Sequence, residues 1–220
     1  MDPGVLDTVL QTFLSALDGG FLRLSPDAKR LLSLLALMDI TMAALWWAFA
    51  VEEAVVALLT KVLRIGLFTF IVLELRFLTE TLAQSFILLG LKAGGGQVSL
   101  AQFQSPSTLL TLGFTATEPL FTFVTNLSGF TSVVALILVT VAAFIVWLAF
   151  LAMALHILMA FIEFHLVAVA STMLIPFGVN RYTAFLAERT CGAVISGAVR
   201  LMVAATVTSI SFPILQTPRP

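Results

Sequence analysis

The feature that most constrains the fold of this chain is a run of 45 residues, 133–177, that is almost entirely apolar. Only hydroxyl groups, two histidines and one glutamate interrupt it. Because about 20 apolar residues in a helix cross the hydrocarbon core of a bilayer, the run is long enough for two crossings, yet no Gly or Pro marks a turn between them. Two arrangements stay open: two spans with an unplaced turn, or one long helix followed by a short re-entrant segment.

The composition of the whole chain also indicates a membrane environment. Of its residues, 60% are apolar and 10% charged, and the mean hydropathy is +1.10, whereas soluble domains are roughly 25% charged. A chain of this length keeps about a third of its surface exposed after folding, so that surface must face lipid or partner proteins. The net charge of −1 and the scattered Lys and Arg residues give little support to a basic groove for nucleic acid.

We therefore predict an all-α, polytopic membrane protein with about five transmembrane segments and an amphipathic N-terminal helix. Apolar residues at helical spacing indicate that first helix; Gly19-Gly20 are expected to end it and Ser25-Pro26 to begin the next. The predicted parts are the N-terminal helix (1–24), a first transmembrane helical pair (25–91), a long apolar loop with short amphipathic helices (92–130), C-terminal transmembrane helices (131–215) and a tail (216–220).

Polar breaks separate the predicted segments. Glu52-Glu53 form a turn between segment one (31–51) and segment two (65–91), Gly94-Gly95-Gly96 ends segment two, and the last segment covers 191–212. The loop that follows segment two carries too many aromatic rings for a free linker, so we expect it to be an ordered interaction surface. Its rings are Phe103, Phe114, Phe121 and Phe123, and its short amphipathic pieces are Leu109–Phe114 and Leu120–Leu127.

Charged residues inside the predicted spans need partners, because each costs about 2.5–3.5 kcal/mol on insertion scales. Asp39 is alone in segment one and must find a hydroxyl, an arginine or water. Glu74, Arg76 and Glu80 interrupt segment two. Arg76 and Glu80 are four residues apart on one helix face and are predicted to pair, although a role in lining a polar path stays open.

The histidines of the apolar run do not form a metal site by their spacing. His156 and Glu163 are seven residues apart and share a helix face, whereas His165 lies about half a turn from His156. Satisfied internal contacts are the default interpretation of His156 and Glu163, and a proton relay is the alternative. We expect no bound metal.

No motif for catalysis or cofactor binding is found in the sequence. Ser196-Gly197 does not form a Gly-x-Ser-x-Gly elbow, and the glycine run at 94–96 lacks the Lys-Ser/Thr of a phosphate-binding loop. Cys191 is the single cysteine, which excludes an internal disulfide. The chain is therefore not expected to be an enzyme, and any ATPase activity would come from a partner.

Small or polar residues form a stripe along the last segment. A row of positions four apart winds slowly around a helix, and small residues in such rows permit close helix crossings in membranes. The stripe is either a seam within one subunit or a subunit interface or pore lining. Its members are Glu188, Gly192, Ser196, Arg200, Ala204 and Thr208, of which Gly192, Ser196 and Arg200 are the main interface candidates.

Two stretches resemble the TrbL family of conjugative transfer proteins. One is 30–47, which ends in Ala-Ala-Leu-Trp-Trp, and the other is 162–189, IEFHLVAVASTMLIPFGVNRYTAFLAER. The second contains a Glu-Phe-x-Leu opening, a Pro-Phe pair and an Asn-Arg-x-Thr-Ala-Phe-Leu-Ala-Glu run in the family's order. That last run is polar, so a general membrane bias does not account for it. Gly-Leu-Lys-Ala-Gly-Gly-Gly at 90–96 adds to the resemblance.

The resemblance implies a multi-pass component of the bacterial inner membrane in a type IV secretion system. Such a component acts as scaffold or channel, supporting the translocation of DNA or protein and the assembly of the pilus. The implied partners are further copies of itself, pilin and minor pilin subunits, other inner-membrane secretion subunits, ATPases, the lipid bilayer and, transiently, the translocated DNA or protein. Family members usually have a polar carboxyl-terminal region, which this sequence does not show.

Orientation and function each have a competing interpretation. With five spans, one side carries six basic residues and the other three, so the positive-inside rule places the amino end in the cytoplasm. The resemblance implies a periplasmic amino end, which we follow. The alternative function is a secondary transporter that uses the buried charged residues, although no inverted repeat or paired broken helices support it.

Overall fold

The described part of the chain is all-helical, which confirms the predicted fold class. The structure is a computed structural model, and it describes residues 4–49, 54–96, 98–105, 107–108, 110–111, 118, 122 and 130–216. Its helices are α1 (Gly4–Phe49), α2 (Ala54–Leu73), α3 (Leu75–Ala93), α4 (Leu100–Phe103), α5 (Phe130–Leu174), a 3-10 helix (Ile175–Val179) and α6 (Ala184–Gln216).

Helix α1 is continuous, so the predicted helix end at Gly19-Gly20 and the predicted start at Ser25-Pro26 are wrong. Gly20 serves close packing instead, because a Cβ there would lie 3.3 Å from Cγ1 of Val169. Pro26 removes one backbone hydrogen bond from the helix interior. Tertiary packing on both sides outweighs these local signals. The residues of α1 that are buried at helical spacing include Phe21, Ala28, Leu32, Asp39 and Ala43.

Segment two is divided at Glu74 rather than forming one helix. Helix α2 ends at Leu73 and α3 begins at Leu75, while backbone hydrogen bonds continue from Glu74 N to Phe70 O and from Leu78 N to Glu74 O. The chain therefore bends at Glu74 while its helical backbone hydrogen bonds continue. The predicted turn at Glu52-Glu53 lies outside the described residues.

The predicted break at Gly94-Gly95-Gly96 is confirmed. Gly95 and Gly96 have φ values of 110° and 69°, in the left-handed region that favours glycine. The Gly96 N–H donates to Leu91 O and the Gly95 N–H to Lys92 O, which is the hydrogen-bond pattern of a Schellman cap.

The apolar run forms the long helix of the second open arrangement, and the re-entrant segment of that arrangement stays a prediction. Helix α5 is unbroken over 45 residues and leads directly into the 3-10 helix, so the described chain has no turn between two spans in 133–177. The last predicted segment, 191–212, lies inside α6.

Two helices of the described residues are long and apolar enough to cross a membrane. They are Val133–Val179 and Ala184–Ser211. The other spans of the predicted five stay a prediction.

One compact unit comprises Leu14–Ala83 and Glu163–Val199. Helix α2 packs on the 3-10 helix there, with the Phe68 ring against Gly178, at a distance where a Cβ on residue 178 would collide with the ring. The buried apolar cluster of this unit consists of Phe21, Ala28, Leu32, Val72, Leu75, Ala168, Ile175 and Val179.

The other unit comprises Met1–Phe13, Gln84–Ile162 and Arg200–Pro220. Its closest helix contact joins α3 to α6. A Cβ on Gly90 would collide with the carbonyl oxygen of Met202, and one on Gly94 would lie 2.5 Å from the Cβ of Ser209. The Ser209 hydroxyl donates to Leu91 O at 3.1 Å. Glycine therefore brings the two backbones together, and a hydroxyl bonds across the contact.

Part of the 92–130 loop is anchored within this same unit. Phe103 is fully buried, with its ring centroid 5.8 Å from that of Phe161, so this ring is covered by α5. A capping box between Ser99 and Gln102 starts α4. Phe114, Phe121, Phe123 and nearly all of the two predicted amphipathic pieces lie outside the described residues, so the interaction-surface prediction stays open.

Asp7 ties helix α1 to the loop. Its carboxylate accepts hydrogen bonds from the Ser105 hydroxyl at 2.6 Å, the Ser107 hydroxyl at 2.5 Å and the Ser107 N–H at 3.0 Å. Burial raises the pKa of the carboxyl, but the three hydrogen bonds together outweigh it and leave the pKa below its usual value.

The contact at Gly90 gives a prediction about stability. Replacing Gly with Ala inside a helix normally stabilises by roughly 0.5–1 kcal/mol. At Gly90 the new methyl meets a backbone carbonyl, and we expect Gly90→Ala to destabilise the purified protein by about 1–3 kcal/mol. Gly66→Ala is the matched control, because a Cβ there meets nothing within 4 Å. Thermal unfolding in detergent measures both, and equal melting temperatures would contradict the close contact.

Candidate functional site

Asp39 is paired inside the α1–α2 hairpin by a residue that was not among its expected partners. The Lys61 ammonium lies 3.1 Å from Asp39 Oδ2 and donates to the Asp39 carbonyl oxygen at 2.8 Å. The Asp39 side chain is 12% exposed and that of Lys61 32%. The sequence contained one signal for this pair. Asp39 and Lys61 lie a similar distance from the connection between α1 and α2, so a helical hairpin brings them to a similar depth.

The predicted Arg76–Glu80 pair is confirmed and extended. Arg76 Nε lies 3.0 Å from Glu80 Oε1, and Arg76 Nη2 lies 3.1 Å from Asp18 Oδ2. All three side chains are about half exposed, so the pairs add at most about 1 kcal/mol each where water reaches them. Glu74, the third charge of this segment, is exposed at the bend. The contact with α1 through Asp18 was not predicted.

Helix α5 carries the candidate polar residues His156, Glu163 and His165. His156 and Glu163 are both exposed, and His165 is half-buried with its ring edge-on to Phe164, at 5.4 Å between centroids. Within the described ranges, no three His, Cys, Asp or Glu side chains gather in a geometry that could hold a metal ion. The relay through His156 and Glu163 stays a prediction.

The predicted stripe on the last segment is exposed at its three main interface candidates, whereas Thr208, its last member, is buried. Gly192, Ser196 and Arg200 are exposed, and a Cβ on Gly192 would meet nothing within 4 Å. A seam within one subunit is therefore wrong for Gly192 and Ser196, and the intersubunit interpretation stays a prediction. The face of α6 that packs is offset from the stripe and includes Ala187, Val194, Ala198, Leu201 and Ala205.

The polar run after the 3-10 helix forms a tight, bonded turn. Asn180 is buried, and its Oδ1 accepts the Tyr182 N–H at 2.9 Å. The Thr183 hydroxyl donates to Phe177 O at 2.7 Å, and the Thr183 N–H donates to Asn180 O. Tyr182 itself points outward. These residue types are therefore required by the geometry that returns the chain from the 3-10 helix into α6.

Together, these features define a helical protein with membrane-spanning potential, in which two ion pairs join helices and the polar Asn180–Thr183 run shapes a turn. The chain belongs to the TrbL/VirB6 family of plasmid conjugal transfer proteins, whose match covers residues 36–217. This confirms the family resemblance found in the sequence. Comparison with curated proteins and with solved structures gives no match.

The Asp39–Lys61 pair gives a second prediction. Removing one partner of a buried pair leaves an uncompensated charge, at a cost of roughly 3–5 kcal/mol when burial is complete. Because Lys61 is about one-third exposed, we expect Lys61→Met to cost about 2–3 kcal/mol. The double variant Asp39→Leu/Lys61→Met removes both charges and is expected to unfold near the wild-type temperature. Additive losses in this double-mutant cycle would contradict the pairing.

Proposed function

We propose that this protein is a scaffold and channel component of a conjugative type IV secretion system in the bacterial inner membrane. It supports translocation of DNA or protein and assembly of the pilus, while ATP hydrolysis resides in partner subunits. The observation that carries the proposal is the family match over 36–217. The proposed partners are further copies of the chain, pilin and minor pilin subunits, other inner-membrane secretion subunits and the system's ATPases.

The length of α5 supports an assembly over an isolated subunit. A helix of 45 residues is about 68 Å long at 1.5 Å per residue, whereas the hydrocarbon core is about 30 Å thick. A usual tilt of about 20° changes this little. Exposed apolar side chains occur along most of the helix, from Val133 to Leu166. Lipid can cover only part of them, and protein partners are expected to cover the rest.

The transporter alternative receives less support. A solute path needs charged groups that face a common aqueous space, whereas Asp39 is bonded to Lys61 and Arg76 to Asp18 and Glu80. In the described chain, Asp39–Lys61 joins α1 to α2 and Asp18–Arg76 joins α1 to α3, while Arg76–Glu80 lies within α3.

Deletion of the gene tests the proposal. We expect a clean deletion to abolish conjugative transfer and pilus formation, and a plasmid-borne copy to restore both. Normal mating efficiency in the deletion strain would contradict the proposed role in conjugation. Mass spectrometry after gentle detergent extraction adds a second test: co-purifying pilus and secretion-ATPase components support the proposal, and a monomer that binds a small solute supports the transporter.

The exposed stripe on α6 gives a prediction about assembly. Leu at Gly192 or Ser196 places a branched side chain on a face that is open in the monomer, so we expect the isolated subunit to fold while its complexes are lost. Ala193→Leu, at an exposed position beside the stripe, is the matched control. Arg200→Lys should be tolerated better than Arg200→Leu. If Leu at all three positions leaves native-gel complexes and transfer intact, the stripe is not an interface.

A further inference from the structure

The α1–α2 hairpin presents an apolar exterior to its surroundings. Helix α2 has 20 residues, or about 30 Å, which matches the hydrocarbon thickness. The proposed membrane location, on which the inference rests, places this hairpin in the bilayer. Its exposed apolar residues include Leu34, Leu37, Met42, Leu59, Leu63 and Leu67.

Among the described residues 31–73 of this hairpin, three side chains are charged, and their charges do not balance. Asp39 and Lys61 neutralise one another. Arg64, one turn further along α2, is half-buried and has no ion pair or hydrogen bond among the residues that the structure describes. One positive charge is therefore left over. A guanidinium stays charged under all physiological conditions, so it needs a counter-charge from outside the hairpin.

The position of Arg64 decides between two sources of that counter-charge. Arg64 is ten residues from Ala54 and nine from Leu73, so about 14–15 Å of helix separates it from either end. Arginine near a span end reaches lipid phosphate by extending its side chain towards the interface. From mid-helix that route crosses more than two helical turns, which is farther than the side chain extends. A carboxylate at the same depth is the counter-charge that fits.

We propose that the α2 face around Arg64 docks a membrane-spanning helix of another subunit that carries an Asp or Glu near its middle. This face consists of Val56, Thr60, Leu63, Arg64 and Leu67 at helical spacing; Arg64 is half-buried at its edge, and the other four residues are exposed. The apolar residues supply packing, and the ion pair fixes the depth and register of the docked helix. The partner's carboxylate and Arg64 then lose their hydration as a neutral pair, so neither enters the hydrocarbon as an isolated charge.

Site-specific photo-crosslinking in intact host cells tests the docking face. A crosslinking residue at Leu67 shares the face of Arg64, three positions away, whereas one at Val62 points to the opposite side. The two sites are matched in exposure, at 56% and 57%. We expect position 67, and not 62, to give an adduct with a membrane span that contains Asp or Glu.

Charge variants then test the ion pair. Arg64→Leu removes a charge from the span, so membrane insertion becomes easier, yet we expect the adduct at position 67 and the native complex to fall at least tenfold. Arg64→Lys should retain both. Exchanging the charges, with Arg64→Asp and the partner's acid replaced by Arg, should restore the adduct. Arg23→Leu, at an exposed arginine on α1, should have no effect.

Several results would overturn the inference. These are an undiminished adduct in Arg64→Leu, an adduct with lipid only, or an adduct with a span that lacks an acidic residue. Failure of the membrane placement is detected separately. In a Cys191→Ala background, a cysteine at Val62 labelled by a membrane-impermeant maleimide would show that the hairpin lies in water, whatever the Arg64 variants do.

Discussion

Close approach of helix backbones at glycine is the interaction on which the rest of the structure depends. In hydrocarbon, covering one apolar surface with another gains little, so helices associate through dense packing and paired polar groups. Gly90 and Gly94 bring α3 against α6, Gly178 receives the Phe68 ring, and Gly20 receives Val169. Hydrogen bonds then stabilise such contacts, as the bond from the Ser209 hydroxyl to Leu91 O does.

This constraint explains which predictions from the sequence succeeded. The break at 94–96 was predictable, because two consecutive residues with positive φ are needed there and glycine adopts that conformation without strain. The helix end at Gly19-Gly20 was not, because the same residue type also serves close packing. A single sequence does not distinguish a glycine that ends a helix from one that admits a neighbour, since the difference lies in Val169, far along the chain.

The polar pairs also divide into one that the sequence predicted and others that it did not. Arg76–Glu80 follows from spacing along one helix and was predicted. Asp39–Lys61, Asp18–Arg76 and Asp7 with its two serines join residues far apart in sequence, and only the tertiary register brings them together. Gly192 and Ser196 on α6 failed as an internal seam for a related reason. Periodicity identified a distinct face of the helix but did not indicate whether that face meets the same chain or another molecule.

The motif that carries the family relationship has a structural role in this chain. In the Asn180–Thr183 run, the Asn side chain holds the following turn and the Thr hydroxyl bonds back to the 3-10 helix. The glycine two residues before the run admits the Phe68 ring from α2. The motif therefore specifies how this chain passes from the 3-10 helix into α6. A framework of paired helices with exposed apolar faces suits a component whose activity depends on the subunits that cover it.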